Sequence, residues 1–346
     1  TSIEGTDDIR YLVGFSLTTG ESTTFRSVNS TVQDLQLDMD NLYLGGSFSS
    51  TDYFKSNLAF FNEGEEVPIF GRDDVNSTVQ TIIPDGSGGY YLAGSFFSFG
   101  SVTVSRLIHI FADGTLDAAF NQPEFNSTIN ALYLDGNDLY VGGFFSQAGG
   151  SNSGRLRRVD AATGELDTTW EPQVDNGSVE SILVVNEEVL TGGSFTEIDG
   201  RDDSRYFAKF DRTSGDLISG ASLNSTVNTM VSDGNEVYLG GSFSESGVFQ
   251  SNLALVDGTT GIPNQLFPDA NSSVEVIIEA GANGWYIGGN FSFLENESAT
   301  RIVHILPDFS VDPNFTCSAN TTVESLLLDG TDLYLGGAFT SVDGIS

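Results

Sequence analysis

The chain has 346 residues, with 48 Asp and Glu against 13 Lys and Arg, giving a formal net charge of −35. The acids are scattered, so they form a solvated acidic surface and not a tail, and the balance excludes a nucleic-acid or anionic-lipid face. No apolar stretch approaches the length of a membrane span, and the lone cysteine, Cys317, excludes an internal disulfide or a cysteine metal cluster.

The head, SIEGTDDIRYLVGFSLTTGESTTF, reads as two strands with no preceding partner in the chain. A phrase then begins that never stops recurring. Residues 28–48 are VNSTVQDLQLDMDNLYLGGSF, and residues 125–145 are FNSTINALYLDGNDLYVGGFF. The Gly-Gly-x-Phe starts at Gly45, Ala93, Gly142, Gly192, Gly240, Gly288 and Gly336, spacings of 48, 49, 50, 48, 48 and 48. An Asn-x-Ser/Thr keeps the same beat at Asn29, Asn76, Asn126, Asn176, Asn224, Asn271 and Asn320. Periodicity of this order marks a repeat architecture.

Within each unit the elements follow one order. After the Asn comes a β-branched residue and an apolar pair, as in TVQDLQL or TVESLLL, which predicts a strand. An Asp-Gly turn such as LDGND or LDGTD suits a tight hairpin. NLYLGGSF or DLYVGGFF is the second strand, whose glycines allow neighbouring sheets to approach while its Phe fills the space between them. A loop of variable sequence leads to a third strand, SNLAFFN, SRLIHIF, GRLRRVD, SRYFAKF, SNLALVD or TRIVHIL. A further turn opens a short fourth, such as LDTTW.

The tail stops at GGAFTSVDGIS, after two strands only. The head supplies the missing pair, with Arg10-Tyr11-Leu12 in the register of Arg205-Tyr206-Phe207. The expected fold is therefore all-β: a seven-bladed β-propeller of four-stranded antiparallel blades, one domain over residues 1–346, with 1–27 pairing with 320–346. The strings NSTINALYLDGNDLYVGGFF and GRLRRVDAATGELDTTWEP resemble the bacterial delta-sixty propeller repeat. They are also similar to repeats of fungal cortical polarity-marker glycoproteins. The resemblance covers essentially the whole chain and implies a secreted or cell-surface setting. It brings no catalytic residues with it.

Candidate chemistry is sparse. All seven in-register asparagines begin glycosylation sequons, and Asn290, Asn296 and Asn314 add three more. The in-register set equally suits side chains that hold the bend entering a strand. Arg10, Arg106, Arg155, Arg205 and Arg301 are read at the start of the third strand, with Asn57 and Asn252 in that place elsewhere. An Arg there would pair with a neighbouring carboxylate or carbonyl. His109 and His304 are repeat equivalents, which explains them without metal or proton transfer. Residues 197–203 and 38–41 are acidic enough for weak calcium binding, although the ordered spacing of a calcium loop is missing. No catalytic residue, metal site or cofactor is assigned.

The functional expectation is an extracellular, non-enzymatic structural or adhesive module. Its loops would meet protein, carbohydrate or another copy, without nucleic acid or direct membrane insertion. The alternative is a carbohydrate-active enzyme or lectin with a site at the channel mouth, with Trp170 or Trp285 as stacking platforms.

Overall fold

The computed structural model describes residues 11–19, 22–23, 28–38, 41–49, 56–62, 75–234, 236–244, 251–260, 262–264, 267–295 and 297–344. Among these the architecture is all-β, and the helical content is one 3-10 turn, Gly281–Asn283. Seven principal antiparallel sheets follow one another along the chain. The first comprises Val32–Asp38, Asn41–Gly46 and Leu58–Asn62, and the second Val79–Pro84, Tyr90–Gly94 and Leu107–Ile110. Equivalent sheets start at Ile129–Asp135, Val179–Val185, Val227–Asp233, Val274–Glu279 and Val323–Asp329. In the last, Leu12–Ser16 pairs antiparallel with Asp332–Gly337, from Leu12 opposite Gly336 to Ser16 opposite Asp332, and Ser22–Thr23 forms its outer edge.

The first strand of each sheet lies beside the first strand of the next, and Val323–Asp329 lies beside Val32–Asp38. Sequence dictates how closely the sheets approach. A Cβ on Gly142 would sit 2.5 Å from Val179 Cγ1 of the following sheet, and one on Gly45, Gly192, Gly240, Gly288 or Gly336 would strike the equivalent valine. The second glycine answers a different need, since a Cβ on Gly143 would lie 2.3 Å from the Thr128 carbonyl oxygen of its own sheet. The Phe that follows is buried in all seven units, each contributing about 2–3 kcal/mol from the apolar area removed from water. The core is accordingly a series of apolar layers between neighbouring sheets, such as Tyr91, Ala93 and Leu107 against Ile129, Leu132 and Val141.

Four-stranded sheets occur in the fourth, fifth and seventh units, whereas the others have three strands among the described residues. In three of those the expected fourth strand shrinks to a single bridge, Ile110 to Leu116, Val159 to Leu166 or Ile305 to Val311. The cause is local. Asp117, Asp167 and Asp312 turn their carboxylates back onto the backbone N–H two residues on, in Ala119, Thr169 and Asn314, and the chain bends away.

Candidate functional site: a polar ring on the inner strands

Every first strand carries a β-bulge at the same place. The register shifts between Val32 and Asp34, Val79 and Thr81, Ile129 and Ala131, Val179 and Ser181, Val227 and Thr229, Val274 and Val276, and Val323 and Ser325. The extra residue is Gln33, Gln80, Asn130, Glu180, Asn228, Glu275 or Glu324, always an amide or a carboxylate. A bulge breaks the two-residue alternation and re-aims one side chain. All seven are half-buried and line one cavity of about 460 Å³, together with Asp34 and Glu279.

Two of the three ring glutamates are bracketed alike. Asn130 Nδ2 donates to Glu180 Oε2 at 2.9 Å, and Asn228 Nδ2 to Glu275 Oε2 at 2.8 Å. The other oxygen of each accepts a hydroxyl two residues back, from Ser178 and from Ser273. Glu324 follows Glu275 in the ring and so has a carboxylate where the others have an amide. Burial, with the Glu275 charge beside it, pushes its pKa up to about 7. Asp34, next to the bulge of the first sheet, accepts from Ile82 N of the second sheet at 2.6 Å and from Leu35 N at 2.8 Å. Burial outweighs those two bonds and raises its pKa to about 7. Thr81, Ala131, Ser181, Thr229, Val276 and Ser325 hold this position elsewhere, so the carboxylate is peculiar to the first sheet.

The in-register asparagines lie outside this ring and serve as locks. In each, Oδ1 accepts a backbone N–H from the loop beyond Gly-Gly-x-Phe at 2.7–3.0 Å, for example from Ser146 to Asn126. In six, Nδ2 also donates to a hydroxyl there, on Ser49, Ser146, Thr196, Ser244, Ser292 or Thr340, at 2.5–3.1 Å. The second unit has Phe97 in place of that hydroxyl. Asn290 is exposed, and its carbonyl accepts from Arg301 Nη1 at 2.7 Å. Asn314 turns its amide onto Asp312. Asn296 and Arg10 lie outside the described residues.

The arginine register needs two corrections. The residue before the one opposite the first position of Gly-Gly-x-Phe is Arg106, Arg155 or Arg301 in three sheets, but Tyr206 in the fourth, where Phe207 faces Gly192, and Tyr11 in the seventh, where Leu12 faces Gly336. Arg205 is one place earlier and bonds Asp202. At six of these seven positions φ is positive, in Tyr11, Asn57, Arg106, Tyr206, Asn252 and Arg301 but not in Arg155. From this place, Asn57, Arg106 and Asn252 each donate to the carbonyl preceding the lock asparagine of the next sheet, on Val75, Phe125 and Ala270, at 2.6–2.7 Å.

Other polar groups are also built into the fold. His109 is held by Asp117 at Nδ1 and Asp85 at Nε2, and His304 by Asp312 at Nδ1 and the Asn283 carbonyl at Nε2. The buried ammonium of Lys209 donates to the carbonyls of Gly258 and Thr259 in the next sheet, at 2.7 and 2.6 Å, and pairs with Glu188. Arg157 pairs with Glu171, and Arg158 with Asp167. Burial, reinforced by Asp343, drives the Cys317 thiol strongly upward, which leaves it an apolar filler. Trp170 and Trp285 are buried, so neither offers a face to a sugar. In the 197–203 loop, Arg201 pairs with Asp203, and Gly200 N donates to Asp175. Among the described residues no three His, Cys, Asp or Glu are grouped to hold a metal ion.

Residues 84–120 and 137–169 match the family model described as Domain of unknown function (DUF5122) beta-propeller. The WD40 beta propeller domain of Doa1 superposes with a TM-score of 0.60 at 13% identity, over 94% of this chain and 94% of that one. The fold is a β-propeller. BamB from Moraxella catarrhalis is similar at a TM-score of 0.52 and 14% identity, over 96% of this chain and 90% of that one. The extracellular domain of BT3049 from B. thetaiotaomicron reaches 0.61 at 12% identity, over 91% of this chain and 40% of that longer one. No curated protein is significantly similar in sequence. In a propeller the innermost strands surround the central channel, which makes the bulge residues its lining.

Proposed function

We propose an extracellular, non-enzymatic display module. It is a seven-bladed propeller over residues 1–346, of the delta-sixty kind, with blades of four strands or of three strands and a bridge, closed where the N-terminal strands complete the C-terminal blade. The loops beyond Gly-Gly-x-Phe present the partner surface, for a protein or carbohydrate at a cell surface or for another copy, without a cofactor. One observation carries this reading: the side chains most capable of chemistry hold sheets or hairpins together. Both ring nitrogens of each histidine, the Lys209 ammonium and the in-register asparagine amides are committed to such bonds. Support for the setting comes from the sequons, the acidic surface and the extracellular BT3049 domain.

The channel carboxylates favour a second reading, an enzyme acting on carbohydrate at the channel mouth. One experiment separates the two. Immobilised full-length protein should retain a cell-surface protein or glycan, and exchanging the 147–154 loop for Gly-Ser should abolish retention while Glu180→Gln leaves it unchanged. Turnover of a glycoside panel that disappears with Glu180→Gln would instead make the protein an enzyme.

A further inference from the structure

Two of the seven sheets turn their first hairpin differently, and both carry a histidine. Five residues, 85–89 and 280–284, join the first two strands of the second and sixth sheets, whereas two separate Asp135 from Asp138, Val185 from Glu188 and Asp329 from Asp332. His109 faces Tyr91 and His304 faces Tyr286 on the second strand, and the residues in that place elsewhere are Gly14, Phe60, Arg158, Lys209 and Leu255. The histidine and the long hairpin therefore occur together, and they touch. His109 Nε2 meets Asp85 Oδ2 at 3.1 Å, and His304 Nε2 meets the Asn283 carbonyl at 2.9 Å. A Cβ on Gly89 would stand 3.0 Å from His109 Nε2, so a glycine there lets the hairpin close on the ring.

The partners fix where the protons must be. Nδ1 lies 2.9 Å from Asp117 Oδ2 in His109 and 2.9 Å from Asp312 Oδ2 in His304. Every partner of the four ring nitrogens is thus a carboxylate or a carbonyl, groups that accept and do not donate. A neutral imidazole has one N–H, so all four bonds exist together only when both rings are imidazolium. Burial alone would raise the Asp85 pKa, but bonds from Ser87, His109 and Gly89 outweigh it and hold the carboxyl below the usual range. Burial is likewise outweighed at Asp117 by His109 and Ala119, and at Asp312 by Asn314 and His304. The other groups facing the rings are Tyr91, Phe111 and Phe120 around His109, and Tyr286 and Phe315 around His304, with Asp160 of the third sheet beyond Tyr91. None of these is a cation.

We propose that His109 and His304 are pH-sensitive latches. Each imidazolium pins the five-residue hairpin of its sheet to the aspartate turn beyond its third strand. Loss of one proton leaves a carboxylate or a carbonyl facing a ring lone pair, and the hairpin is released. The latch is closed while both ring nitrogens are protonated and opens as pH rises through the range where imidazole titrates. Both hairpins lie at the end of the sheets opposite the loops beyond Gly-Gly-x-Phe, so the device is independent of the loop-display reading.

The test is nitrogen-15 NMR of the imidazole rings in the full chain, with amide hydrogen exchange, at pH 6 and pH 8. The chain has two histidines, so each ring signal is assigned by its loss in His109→Gln or His304→Gln. At pH 6 each ring should show two protonated nitrogens. The Gly89 amide donates to Asp85 Oδ1 and the Ala280 amide to the Gly284 carbonyl. Their protection, corrected for the intrinsic exchange rate, should fall about tenfold or more at pH 8 through loss of one charge-assisted bond. The short hairpin closed by Val185 and Glu188 should keep its protection. His109→Gln should remove the pH dependence at 85–89 alone, and His304→Gln that at 280–284 alone. If a variant fails to fold, the ring spectra of the unaltered chain carry the test. A ring with an unprotonated nitrogen at pH 6, hairpin protection indifferent to pH in the unaltered chain, or a pH dependence that survives both variants would overturn the proposal.

Discussion

Asn126 and Asn290 both begin sequons, yet the fold uses them differently. Asn126 Oδ1 takes the Ser146 and Gln147 N–H groups at 2.9 and 3.1 Å, whereas Asn290 is exposed and its backbone makes its contacts. Asn126→Ala should therefore lower stability by about 1–2 kcal/mol in denaturant unfolding, and Asn290→Ala by less than about 0.5. Equal effects would show that the lock contributes nothing. The recurrence of the asparagine was legible in the sequence because residue type repeats. Its partner was not, because the hydroxyl it meets stands 20 residues away, beyond two strands. Tyr206 was obscured for a related reason: a neighbouring arginine imitated the side-chain type, while the register against the second strand defines the position.

Elements obey the same division between local pattern and long-range contact. Alternation and Asp-Gly turns disclosed the strands, but the bulge that creates the channel ring inserts a residue without disturbing the apolar pair after it. The trace it leaves is an amide or carboxylate inside an apolar strand in all seven units. At the sheet interface, Gly142→Ala should cost about 1–3 kcal/mol, because the added methyl meets Val179 Cγ1 and the two strands must separate. The same change at Gly136, a turn residue with nothing near its Cβ position, is limited to the backbone strain of its φ of 62°. Unfolding midpoints of the two variants would separate packing from strain. The inner strands also set a pH dependence. Asp34 and Glu324 have folded pKa values of about 7, above the value of about 4 in an unfolded chain. The folded state then keeps protons that the unfolded state has released, so their contribution is fully present below about pH 4 and is lost as pH rises toward 7. Asp167, lowered to about 2 where Thr169 and Arg158 bonds overcome its burial, acts oppositely, and its contribution is lost as pH falls toward 2. Thermal midpoints should be higher at pH 5.5 than at pH 8, with a smaller difference in Asp34→Asn. An unchanged slope in that variant would remove Asp34 from the account.

At the scale of the whole molecule, the tail strand Asp332–Gly337 would be a bare edge without Leu12–Ser16, and an exposed edge invites pairing with other chains. The incomplete repeat at each end made this pairing readable in advance, since neither fragment has a partner of its own. The number of strands per sheet was less readable, because aspartate turns end three of the outer strands after one bridge. So acidic a chain is held together by ties from each sheet to the next, through apolar layers and through side chains such as Arg106, Lys209 and Asp34. The most direct measurement is a cross-link across the head-to-tail seam. Ser16 and Asp332 are half-buried and directly opposite each other, so Ser16→Cys with Asp332→Cys, in a Cys317→Ala background, should oxidise to an intramolecular disulfide without loss of fold. Thiols that stay free in the folded monomer, or that link only between molecules, would contradict closure.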